Sequence, residues 1–170
     1  DLGTRESMAV NTAPWVTSLW LVLSTLGACL AYPSGPPGYV CDEMLPSHQG
    51  SKQLKGSDSP YHLVQEKVAF QPNDLIMVTL YSESTDFMGF MVKALDEHGN
   101  QVGHFERGSV YKPLRGCSSA THVNQKKKKT VNMLWKAPAS RTGEVHFKAT
   151  VVQNRRLFYL DLMSKIVRKD

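Results

Sequence analysis

The strictest constraint on this chain is the alternation in Glu144-Val145-His146-Phe147-Lys148-Ala149-Thr150-Val151. Val145, Phe147, Ala149 and Val151 share one face of an extended chain, and the four polar residues share the other. Side chains along a strand point to opposite sides in turn, so this period of two marks a half-buried antiparallel strand. Arg156 to Leu162 repeats it, grouping Phe158, Leu160 and Leu162. Three more runs have strand length and composition. Leu75 to Tyr81 follows the turn signal Gln71-Pro72-Asn73-Asp74, Phe87 to Leu95 is closed by Asp96 to Asn100, and Thr130 to Trp135 ends at Ala137-Pro138. Gln101 to Arg107 alternates only in part, with Val102 and His104 on one face and Phe105 out of step. The one helical candidate is short, near His62 to Lys67. Short strands separated by turns, with no long amphipathic helix, predict an all-β antiparallel sandwich. Trp135 is expected to pack in its core or at a sheet edge rather than to act as a sugar platform.

The front of the chain reads differently. Trp15 to Ala31 is 17 uncharged, largely apolar residues, with Cys29 and Ala31 placed as the −3 and −1 positions of a cleavage site. The helix-breaking stretch Tyr32 to Gly38 follows. That is the layout of a secretory signal peptide, and it falls short of the roughly 20 apolar residues that a membrane span needs. It lacks one usual element, a Lys or Arg between Met8 and Ala31. Residues 1–7 read as an upstream leader, 8–31 as the signal peptide and 32–170 as the folded domain. Cleavage removes Asp1, Arg5 and Glu6, taking 20 basic and 15 acidic residues to 19 and 13, a net charge of +6 instead of +5. It also removes Cys29. Cys41 and Cys117 remain, an even pair that is expected to oxidise in an exported protein. Two free buried thiols would need a reducing compartment instead. Tyr32 to Pro60, rich in Gly, Pro and Ser, is expected to be irregular and to lie over the sandwich, tied down by Cys41. No second apolar run and no Asn-x-Ser/Thr sequon occurs, so a secreted, extracellular product without a stable membrane anchor is expected.

The most conspicuous charged feature is Lys126-Lys127-Lys128-Lys129, between two strand-like segments. An exposed loop of this kind suits phosphate or carboxylate groups on a polyanion; it equally suits a solvated loop that merely keeps the strands in water. Histidines at 48, 62, 98, 104, 122 and 146 show no metal-ligand spacing. There is no GxSxG, GxGxxG, Walker A or HExxH motif and no aromatic-basic RNA-binding strand, so no enzyme activity, cofactor, metal or nucleic acid is expected.

The residues also resemble a known family. YPSGPPGYVCDEMLPSH and then SPYHL are similar to the opening of reeler (reelin-type) domains. FMGFMVKALD, LWKAP and GEVHFKATVV resemble later segments of that family, in the right order from Tyr32 to about Val152. The resemblance implies an immunoglobulin-like β-sandwich and, a second time, a Cys41–Cys117 disulfide. It is nearest to the stand-alone secreted defence proteins of insects. That implies innate immunity, antimicrobial action and binding of microbial envelope polymers such as lipopolysaccharide, lipoteichoic acid or glucan. The alternative is an extracellular matrix or adhesion module that binds a host protein or glycosaminoglycan.

Overall fold

The computed structural model describes residues 38–167 apart from Ser47 and Arg115, all within one compact unit, Ala31–Asp170. The expected leader (1–7) and signal peptide (8–31) lie outside the described residues. After a short 3-10 turn at Gly38–Cys41, the described strands are β1 Lys52–Lys55, β2 Tyr61–Gln65, β3 Ala69–Phe70, β4 Leu75–Ser82, β5 Gly89–Leu95, β6 His104–Phe105 and β7 Tyr111–Leu114. They continue with β8 Ser119–His122, β9 Thr130–Lys136, β10 Gly143–Glu144, β11 His146–Asn154, β12 Leu157–Met163 and β13 Lys165–Ile166. One sheet has the order β1-β12-β11-β5-β8-β7 and the other β13-β2-β4-β9-β6, with a small β10–β3 ladder beside them. This is the expected all-β sandwich. Two edge pairings, β1 with β12 and β13 with β2, are parallel rather than antiparallel. Neither is closed by a hairpin, and only a tight hairpin obliges neighbours to run oppositely.

The alternation from Val145 to Val151 forms the centre of the core. Val145, Phe147, Ala149 and Val151 are fully buried, and β11 pairs along its length with β5. Facing them from the other sheet are Leu63, Ile76, Val78, Leu80, Met133 and Trp135. Trp135 is wholly buried, donates from Nε1 to the Val102 carbonyl (3.1 Å), and meets Phe70 and Phe147 edge-on at 5.4 and 5.9 Å. Each large side chain removed from water in this way contributes about 1.5–3 kcal/mol.

Three expectations need correction. His62 to Lys67 is no helix: Tyr61, Leu63 and Gln65 are buried in alternation, and β2 pairs with β4 across Tyr61 to Gln65. In Gln101 to Arg107, Val102 and Phe105 are both buried while His104 is exposed. Gly103, at φ 60°, breaks the strand and resets its parity; a Cβ there would collide with the Trp135 ring. In β12 it is Tyr159, not Phe158 or Leu160, that joins Leu162 in the core cluster. Register shifts against β11 turn Phe158 to the outer face, and Asp161, at φ 56°, brings Leu162 back.

The outer face of β5 is also covered. Cys41, Met44, Met91 and Cys117 form a second apolar cluster, with Leu114 against it. Residues 38–46 thus lie over the sheet as a strap, as Cys41 suggested, whereas Lys52–Lys55, in the same stretch expected to be irregular, instead forms β1 and pairs with β12. Its anchor is the Cys41–Cys117 bond, which joins positions 76 residues apart.

Candidate functional site

Strap and sheet do not close completely. Between them lies a cavity of about 190 Å³. Met44 and Met91 are buried deep in it, Met88 and Val152 are half-buried along it, and Leu45 and Arg155 are exposed at its mouth. Its lining comes from four separated stretches, which is why no local motif announced it. Gly89, at the start of β5, lines the cavity, and its missing side chain leaves room for the His122 ring, which a Cβ would meet at 3.0 Å.

The strap is also held by charge. Lys93, on the outer face of β5, is buried, yet its ammonium donates to the Cys41 carbonyl (2.8 Å) and lies 3.8 Å from Asp42. An unpaired buried ammonium would be costly, so this pairing fixes where the strap crosses the sheet. The sequence reading missed Lys93, because a lysine in a strand normally points to water.

His122 forms one wall. The Phe90 amide donates to its Nδ1 (3.2 Å), which suits a neutral ring. Burial holds the His122 pKa below its ordinary 6.5, and Lys128, Lys112 and His48 push the same way against a raising backbone contact with Phe90. His48, just after the strap, is lowered by burial and then by Arg155. Both groups thus have folded-state pKa values below the unfolded value. Between the two values the unfolded chain binds more protons, so stability is expected to fall as pH drops from about 6.5 towards the folded values, and to feel no such penalty at higher pH. Urea midpoints from neutral to mildly acidic pH check this. His122→Gln should flatten part of the slope, and a flat profile in the parent protein would contradict the burial of the ring.

The four predicted lysines lie in the connection from β8 to β9, next to this cavity. They do not act alike. Lys126, Lys127 and Lys129 are exposed. Lys128 turns inward: its ammonium donates to the carbonyls of Lys126 (2.6 Å), Asn124 (2.8 Å) and Met88 (3.1 Å), and burial lowers its pKa. Its backbone exchanges two bonds with Phe87, both 2.9 Å. Lys128 therefore staples the loop, and its three neighbours carry the outward charge. Gln125, from the same loop, lines the cavity, so the cationic loop and the cavity are contiguous. Among the described residues no carboxylate side chain lines the cavity, no cluster of three His, Cys, Asp or Glu is placed to hold a metal, and no helix is long and apolar enough to cross a membrane.

Comparison with known proteins places this geometry in context. A family model described as the reeler domain matches residues 39–170. Defense protein l(2)34Fc of Drosophila melanogaster is 31% identical over 156 residues, covering 84% of this chain and 95% of that protein. Ferric-chelate reductase 1 of Mus musculus is 29% identical over 165 residues, covering 91% of this chain; the chain spans only 27% of that reductase's length. Among solved structures, the reelin-N domain of F-spondin superimposes with a TM-score of 0.56 at 24% identity, covering 71% of this chain and 94% of that one. That likeness concerns the fold.

Proposed function

The chain belongs to the reeler domain family, and from that premise we propose that it is a secreted innate-immune defence protein that binds anionic polymers of microbial envelopes. The observation that carries this reading is the stapled loop. Lys128 is spent on three carbonyls, and the loop it holds presents Lys126, Lys127 and Lys129 to solvent. A held loop loses little freedom on binding, so its charges act together on a repeating phosphate or carboxylate array. The relative named a defense protein, matched over 95% of its length, supports the same role. The ferric-chelate reductases are matched over about a quarter of theirs, and no redox chemistry is assigned to this chain from them.

The test measures binding of the full chain to lipopolysaccharide, lipoteichoic acid and β-glucan at two salt concentrations. Replacing Lys126, Lys127 and Lys129 with glutamine is expected to weaken binding to the two anionic polymers by about 10- to 100-fold at low salt and to flatten its salt dependence. Unchanged binding in that variant would remove the loop from the mechanism. Binding to heparin that is tighter than to any microbial polymer would favour the matrix module instead.

A further inference from the structure

We propose that the cavity beneath the strap binds a single fatty-acyl chain, with the hydrocarbon tail among Met44, Met88 and Met91 and the carboxylate at Arg155. This site is distinct from the outward lysines, and the proposal stands whether or not they bind a polymer.

Size is the first argument. An apolar cavity of about 150 Å³ stays dry and takes a benzene molecule. The space here, about 190 Å³, would by the same measure take about seven or eight carbons. It is also open at one end, so a longer chain need not fit entirely.

The lining is the second. Three methionines from two separate segments converge on it, and their flexible thioethers mould themselves to an alkyl chain of varied shape. Val40, Leu45, Pro46 and Val152 add apolar surface. The buried polar groups at the wall are already satisfied. His122 Nδ1 is engaged with the Phe90 amide, and the described residues include no buried side-chain nitrogen or oxygen without a partner. Such a wall offers a tail dispersion contacts and asks no hydrogen bond of it.

Charge is the third. Arg155 is exposed at the mouth and near enough to His48 to lower its pKa. With no carboxylate in the lining and the lysine loop adjoining, the field at the opening favours an anion. A guanidinium suits a carboxylate in particular, since it offers two parallel donors. The occupant is thus apolar at one end and anionic at the other.

Calorimetric titration of the full chain with straight-chain carboxylates from butanoate to dodecanoate, each below its micelle concentration, tests the proposal. Affinity is expected to rise about fourfold per added methylene and to level off near about eight carbons. The methyl signals of Met44, Met88 and Met91 should shift on binding, while that of Met133, buried in the sandwich core, stays put. Arg155→Gln should cost the carboxylate at least about fivefold in affinity and leave the alcohol of equal length unchanged. Val152→Phe, which fills the cavity, should abolish binding. If that variant fails to fold, the methionine shifts and the Arg155 arm still decide. No dependence on chain length, shifts elsewhere than at these three methionines, or full binding in a folded Val152→Phe variant would overturn the proposal.

Discussion

Replacing Cys41 and Cys117 together with alanine is expected to lower the free energy of unfolding by about 4 kcal/mol, because the bond closes a loop of 76 residues and so restricts the unfolded chain. Urea unfolding, extrapolated to water with each protein's own slope, reads this loss, and the slope should rise because the unfolded chain without the bond is more expanded. The loss should also be staged. The bond lies on the outer face of β5, where Met44, Met91 and Leu114 pack around it, and the main core lies on the opposite face. Without it the strap still has the Lys93 contacts to the residue-41 carbonyl and to Asp42 and a modest apolar cluster. The Met44 amide, bonded to the Val40 carbonyl at 3.0 Å, should then exchange with solvent much faster, while the amides of β11 keep their protection. Simultaneous loss of protection in both would mean that strap and sandwich unfold as one. A change in the extrapolated free energy of less than about 1 kcal/mol would show that the loop closure is not limiting.

Trp135→Ala is expected to cost about 3–5 kcal/mol, the usual range for deleting a large buried aromatic. The indole occupies the middle of the core between Phe70 and Phe147 and has no solvent exposure. Truncation leaves a void that the two sheets cannot close without moving apart from their other contacts. It also strips the Val102 carbonyl of its donor. Trp135→Phe keeps most of the volume and loses the hydrogen bond, so it should cost distinctly less. Equal losses in the two variants would assign the effect to the Val102 bond instead of to packing.

Legibility in the sequence followed how local each determinant was. The pattern from Val145 through β11 was readable because its four inward residues are alternate positions, and β11 runs against β5 in unbroken register from His146 to Val152. The Phe158 and Leu160 assignment failed because register against β11 shifts twice, which is decided by the partner strand. His62 to Lys67 was misread because the buried Gln65 looks polar in sequence; its amide is satisfied by the carbonyls of Lys67 and Val145, the latter 80 positions away. At the candidate site, the lysine run was visible as charge, but the inward turn of Lys128 depends on carbonyls supplied by Asn124, Lys126 and Met88. The cavity was invisible altogether. Its methionines at 44, 88 and 91 offered the one available hint, and only the strap's position over β5 brings the first to the other two.

The rims of the two sheets carry a last consequence. β1 and β7 border one sheet, β6 and β13 the other. β1 reads Lys-Gln-Leu-Lys, β7 carries Lys112 and Pro113, and β6 and β13 are two residues each. A foreign strand seeking free amides and carbonyls meets charge at one border, a residue without an N–H at the next, and too little length at the others. At each described border of the two large sheets, fibrillar stacking is thereby disfavoured.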